Sequence, residues 1–173
     1  MVRSALAGKS QIGRGPKPIA PFVAPVSIAL ASLLGLLPIV AQVGWGPSFG
    51  YLMLIAWRLL RSDAFPGWWA APLGLWNDLV VGEPIGLSIF VWTLSMLLLD
   101  LADRRTMWRD YWIEWLLAAG LLFIGAVVRW KVDALMGARN EFHVIWPPLI
   151  IAVLAFPVAA WAASRLDRWR LGR

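Results

Sequence analysis

The chain has no cysteine, a single histidine and few charges, and each scarcity closes off a class of chemistry. Without thiols there is no disulfide, no thiolate metal site and no cysteine nucleophile. One histidine excludes a multi-histidine metal centre. Charged residues make up 15% of the sequence, against roughly a quarter in soluble domains, and no charge at all interrupts residues 18–57. Also missing are a repeat of fixed period, a low-complexity tract and any connection long enough to fold as a soluble arm. What fills the sequence instead is apolar: 60% of residues, with a mean hydropathy of +0.69. So much apolar surface must face lipid, which makes this an integral membrane protein.

The net charge of +6 raises the question of nucleic acid. Its basic residues flank apolar runs and form no single stripe, so nucleic acid is not expected as a partner.

A bilayer span takes roughly 20 residues, and charges with turn residues divide the apolar sequence into six. The expected spans are Phe22 to Val43, Ser48 to Leu60, Phe65 to Val80, Pro84 to Leu101, Tyr111 to Trp130 and Phe142 to Ser164. The first is too long for the apolar core of a secretory signal and reads as a retained helix. The second and third are short. Making them a re-entrant hairpin would leave Arg58, Arg61 and Asp63 near mid-membrane, so separate spans are preferred.

Loop charges set the orientation. With a cytoplasmic N-terminus, thirteen Lys and Arg fall inside (3, 9, 14, 17, 58, 61, 104, 105, 109, 165, 168, 170 and 173) and three outside (129, 131 and 139). Both ends are therefore expected in the cytoplasm. The layout is a basic segment over 1–20, an all-α six-helix membrane domain over 21–164 and a basic tail over 165–173. Tryptophans agree: 68, 69, 108, 112, 115 and 161 fall near inner boundaries and 45, 130 and 146 near outer ones, while Trp92, deep in the fourth span, reads as a packing residue.

Between Gly74 and Gly86 the chain reads Gly-Leu-Trp-Asn-Asp-Leu-Val-Val-Gly-Glu-Pro-Ile-Gly. An acid at a bilayer centre costs roughly 2.5 to 3.5 kcal/mol on insertion scales, so Asp78 and Glu83 call for an explanation. Pro84 suits the first turn of the fourth helix, where its missing N–H is no loss, and Glu83 can face that helix's positive end. Asp78 can reach back to the same N–H groups across the Gly82 turn, closing a helix-to-helix corner on the outer side. Partner contact and proton handling are the rival roles. Acid–base catalysis would need a substrate pocket and a second group in reach, and no such set is visible.

Gly74, Asp78, Gly82, Pro84 and Gly86, followed by an apolar helix, resemble the G-L-x-x-D-x-x-x-G-x-P-L-G signature of the bacterial rod-shape-determining MreD family, with Ile85 replacing the usual Leu. The resemblance implies a non-enzymatic, cofactor-free, multi-pass component of the inner membrane, acting in cell elongation by scaffolding lateral peptidoglycan synthesis. Its implied partners are MreC, with MreB, RodA and the transpeptidase partner of RodA, besides membrane lipid. The implied fold is similar to the substrate-binding subunit of energy-coupling-factor vitamin transporters.

That fold supplies the alternative function, a vitamin-binding subunit, for which Asp78, Glu83, Trp130, Asn140 and His143 would line the chamber. A membrane enzyme acting on lipid-linked substrates would show clustered acids for a divalent metal, and none are seen.

Five features remain. Ser27, Ala31 and Gly35 on the first span and Ala155, Ala159 and Ala163 on the last form small-residue stripes, for packing within the bundle or against a partner helix. Pro157 is expected to bend the last span. Asp100, Asp103, Arg104, Arg105, Arg109 and Asp110 read as a solvated inner loop whose arginines could meet anionic lipid. Glu114 is expected to pair with Arg109 at the interface, and His143 to be a surface or capping residue beside Glu141.

Overall fold

The apolar runs form helices, and among the described residues of the computed structural model there are six α-helices and no strand. The structure describes residues 19–37, 46–61, 65–105, 110–137 and 141–171. They comprise α1 (Ala20–Leu33), α2 (Phe49–Leu60), α3 (Ala70–Val81), α4 (Leu87–Arg105), α5 (Tyr111–Leu135) and α6 (Trp146–Leu171). Short 3-10 turns extend α1 over Leu34–Leu36 and precede α3 over Gly67–Trp69 and α6 over Phe142–Ile145.

Helix α2 is the axis of the packing. Every residue from Gly50 to Leu59 is buried, Arg58 included, and α1, α4, α5 and α6 all pack on it. The other helices bury one side and turn the other outward. Leu30 and Leu33 on α1, Phe90 and Leu97 on α4, Leu116 on α5, and Leu154 and Val158 on α6 are all exposed, Leu116 and Leu154 by more than two thirds. Monomeric soluble proteins rarely show contiguous apolar surface on this scale, whereas lipid tails suit it. Two helical stretches, Tyr111–Leu135 and Phe142–Leu171, are long and apolar enough to cross a membrane.

The chain runs up and down between two ends. One end gathers the last turns of α2, α4 and α6 with the start of α1, tied by Arg58 to Asp100 and Asp103 and by an Arg170 Nη1 contact of 3.4 Å to the Ala20 carbonyl. The other gathers the α3–α4 corner, residues 46–48 ahead of α2, the last turns of α5 and the approach to α6.

Several boundaries differ from those read in the sequence. α1 stops short of Val43: Leu37 is already extended, as the residue before a proline prefers, and 38–45 lie outside the described residues. Helix α2 at 12 residues rises only about 18 Å, and α3 is as short, so neither is long enough alone for a hydrocarbon core of roughly 30 Å. Helix α4 begins at Leu87, not Pro84, and runs on through Arg105, so Asp100 and Asp103 are helical and not part of a loop. Helix α5 continues past Trp130 to Leu135, and α6 past Ser164 to Leu171 with Pro157 inside it. These helices outlast their apolar runs because the added turns pair their charges or hold them at the ends of the bundle.

Candidate functional site

The α3–α4 corner is built around one buried carboxylate. Asp78 is 1% exposed and works through both its main chain and its side chain. Its carbonyl receives the N–H groups of Gly82 and Glu83, each at 3.0 Å, which ends α3. Gly82 sits there at φ +77°, a left-handed conformation that favours glycine. Asp78 Oδ2 then accepts from the Gly86 N–H at 2.8 Å and Oδ1 from the Ser88 N–H at 2.9 Å, which starts α4. Between these, the Leu87 N–H donates to the Pro84 carbonyl at 3.0 Å and closes a turn whose third residue is Gly86, at φ +102°. The N–H groups that a helix start leaves bare are thus taken by a residue one helix earlier.

Pro84 is therefore a turn residue and not the first residue of a helix, contrary to the sequence reading. The cause is that the Asp78 carboxylate claims Gly86 and Ser88, which fixes the helix start three residues further on.

Gly74 makes that reach possible. A Cβ built there would lie 2.7 Å from Ile89 N and Cα and 2.9 Å from the Ser88 carbonyl carbon, all backbone. The backbones of α3 and α4 touch at this point. Asp78, one helical turn further along the same face of α3, is thereby held against the first turn of α4.

A second layer of polar groups lies beside the first. Ser88 Oγ accepts from Asn77 Nδ2 at 3.0 Å and donates to Glu83 Oε2 at 3.0 Å, with Arg129 Nη2 at 3.4 Å. Glu83 Oε1 is in an ion pair with Arg129 Nη1 from α5. Glu83 thus bonds to the first turn of α4 through the Ser88 hydroxyl and spends its other oxygen on Arg129. Sequence reasoning missed Asn77, Ser88 and Arg129 as members of this site. An Asn beside the acid and a Ser two residues past Gly86 are the available signals; in the loop count Arg129 is simply one of three outer basic residues.

This network borders a cavity of about 420 Å³ between α5, α6, the start of α2 and the corner. Its polar side carries Glu83, Arg129 and Asp133; its apolar side includes Leu122, Ile145, Leu149 and Ala152. Tyr51 also lines it, its hydroxyl held by Ser95 Oγ at 2.6 Å and by the Leu121 carbonyl at 3.0 Å. Of the five residues proposed for a solute chamber, Glu83 and Trp130 line this cavity. Asp78 does not, since its oxygens are turned to backbone N–H groups. His143 is exposed and pairs with Glu141 at 3.0 Å, and Asn140 lies outside the described residues.

The opposite end is tied by side chains. Buried Arg58 meets Asp100 and, at 2.9 Å, Asp103; Asp167 takes Arg170 at 2.7 Å and Arg61 at 3.4 Å. Arg170 also lies over the Trp57 ring. Hence residues 165–171, set apart in the sequence as a tail, include buried Asp167 and Arg170.

The small-residue stripes turn inward. Ser27 Oγ accepts from Trp57 Nε1 at 2.8 Å, Ala31 packs on the core, and a Cβ on Gly35 would meet Val81 at 3.6 Å. On α6, Ala163 is fully buried and Ala155 and Ala159 pack against the core. Trp92 is buried, its ring 6.2 Å from that of Tyr51. Residues 1–18, Trp45, Asp63, Trp108, Arg109, Arg139 and Arg173 lie outside the described residues, and with them the expected Glu114–Arg109 pair.

A family model described as rod shape-determining protein MreD matches residues 17–164, and the chain belongs to that family. Family membership makes it a bacterial membrane protein of the shape-determining machinery. Neither a curated relative nor a solved structure matches the chain.

Proposed function

We propose that this MreD-family chain is a non-enzymatic scaffold of the inner membrane, holding partner membrane proteins in one arrangement for lateral peptidoglycan synthesis. The partners in this reading are MreC first, with MreB, RodA and its transpeptidase partner. All six helices are placed within or across the membrane, both chain ends are cytoplasmic, and the Asp78 corner faces the periplasm. A likeness to the substrate-binding subunit of energy-coupling-factor transporters belongs to the same reading, as a matter of shape.

One observation carries it: the polar chemistry of the α3–α4 corner is spent on structure, while large parts of the outward surface are apolar. Asp78 has both oxygens on backbone N–H groups, and Glu83 is engaged by Arg129 and Ser88. What the corner delivers is a fixed α3–α4 unit. What the molecule presents to neighbours is helix faces such as Leu154 and Val158 on α6 and Leu30 and Leu33 on α1. Such faces suit lateral contact with other helices in lipid.

Depletion in a rod-shaped host tests the function, with rounding of the cells as the expected outcome. Site-specific crosslinking from Leu30, Leu154 and Val158 in living membranes tests the mechanism and should capture MreC. Cells that keep their rod shape on depletion would refute the role. Rounding without capture of any elongation protein from these positions would refute the scaffold mechanism alone.

A further inference from the structure

The cavity beside the corner carries both charged and apolar side chains on its walls. Glu83, Arg129 and Asp133 line its polar side, acid, base and acid, for a formal charge of minus one. The Arg129 guanidinium is in an ion pair with Glu83, and Asp133 lines the same cavity one helical turn further along α5. Arg129 Nη2 makes only a long contact, 3.4 Å, to Ser88 Oγ. The apolar part of the wall includes Leu122, Ile145, Leu149 and Ala152, and room is left by the short side chains of Ala126 and Ala152. An occupant that matches must carry a cation and an anion a few ångströms apart at one end and hydrocarbon at the other.

The position of the cavity says where such a molecule comes from. Trp130, which lines the cavity, belongs to an aromatic cluster: it packs on Phe142 at 5.2 Å, Phe142 on Trp146 at 6.2 Å, and Phe123 on Trp146 at 6.4 Å. Lys131 lies over the Trp130 ring at 4.7 Å. Partly exposed tryptophans with a neighbouring lysine mark headgroup depth in a bilayer. That places the cavity, through Trp130 in its lining, at the level of lipid headgroups.

We infer that this cavity is a binding site for an aminophospholipid, a lipid whose headgroup joins a primary ammonium to a phosphate. The ammonium meets the Asp133 carboxylate on the acidic side of the cavity, the phosphate faces the Arg129 guanidinium, and the first part of an acyl chain lies along Leu122, Ile145 and Leu149. A purely anionic headgroup satisfies Arg129 but brings its charge against both acids. A simple amine satisfies the acids and leaves Arg129 unanswered. A bound lipid here touches α4, α5 and α6 together, whichever proteins the bundle holds.

Native mass spectrometry of the full chain tests this, after delipidation in a neutral maltoside detergent and exposure to equal amounts of phosphatidylethanolamine and phosphatidylglycerol. Phosphatidylethanolamine adducts should exceed phosphatidylglycerol adducts by about tenfold, the scale expected of one charge-assisted contact. Asp133→Asn should bring that ratio close to one, by removing one of the two acids without disturbing the Glu83–Arg129 pair. Ala126→Phe should fill the cavity and abolish the phosphatidylethanolamine adduct, with the melting temperature of the protein unchanged to confirm folding. Equal retention of the two lipids, or a preference unaffected by both variants, overturns the assignment. Displacement of the lipid by dodecylamine at equal concentration overturns the role given to the phosphate.

Discussion

The two ends of this bundle are tied in different ways. At the α3–α4 corner the ties are short in sequence and run mostly to backbone: Asp78 reaches Gly86 and Ser88, and Gly74 lies on the main chain of Ser88 and Ile89. At the opposite end they run between side chains and are mostly long in sequence: Arg58 reaches Asp100 and Asp103 and Arg61 reaches Asp167, which also holds Arg170 three residues on. The difference teaches where geometry is fixed. A carboxylate on two backbone N–H groups beside a close backbone approach has little freedom to move. Ion pairs between flexible side chains, half of them partly exposed, can rearrange.

The sharpest way to break this contrast is Gly74→Val. Its Cβ would fall 2.7 Å from backbone atoms that cannot swing aside. Overpacking of this kind costs about 3 kcal/mol or more, and the variant should lose its monodisperse peak in fluorescence-detected size exclusion. Should it behave like the parent protein, the backbone contact is not what holds the corner.

Asp78→Ala comes next. It leaves the Gly86 and Ser88 N–H groups without their acceptor, for a loss of about 2 to 4 kcal/mol in detergent-solubilised stability. Asp78→Asn keeps one acceptor oxygen and should lose roughly half as much. An equal loss for both would place the weight on the negative charge and not on the hydrogen bonds.

Arg58→Gln probes the other end. The guanidinium is buried, but Asp100 is half exposed and can turn to water, so the loss should be about 1 to 2 kcal/mol, below that of Asp78→Ala. A larger loss at Arg58 than at Asp78 would reverse the comparison. The smallest change belongs to Arg61→Gln, whose pair with Asp167 is 3.4 Å long and 43% exposed on the arginine side. Melting curves should shift by less than about 0.5 kcal/mol equivalent, and high salt should leave even that difference undetectable.

The corner was largely legible in the sequence because its partners lie within one helix-turn-helix stretch. A turn at Gly82, and the reach of Asp78 across it to a bare helix start, can be read from spacing alone. Pro84 was misplaced for a local reason: it is compatible with a first helical turn, and nothing in its own chemistry reveals that the carboxylate moves the helix start to Leu87. The layer formed by Asn77, Ser88, Glu83 and Arg129 was illegible in part because Arg129 arrives from α5, forty-six residues after Glu83, so that only packing brings it there. The inner cluster was misread similarly. Asp100 and Asp103 look like loop charges until Arg58 is found buried against them.

From its sequence alone the chain is committed to lipid, to helices and to a glycine-rich acidic corner. Apolar content, helix-length runs and φ-permissive glycines act locally and need no knowledge of neighbours. Only the tertiary structure decided that the short α2 is the buried axis, that Glu83 answers Arg129, and that the small-residue stripes face inward. Those outcomes depend on which helix faces meet, and each face is chosen by the burial and pairing of all the others at once.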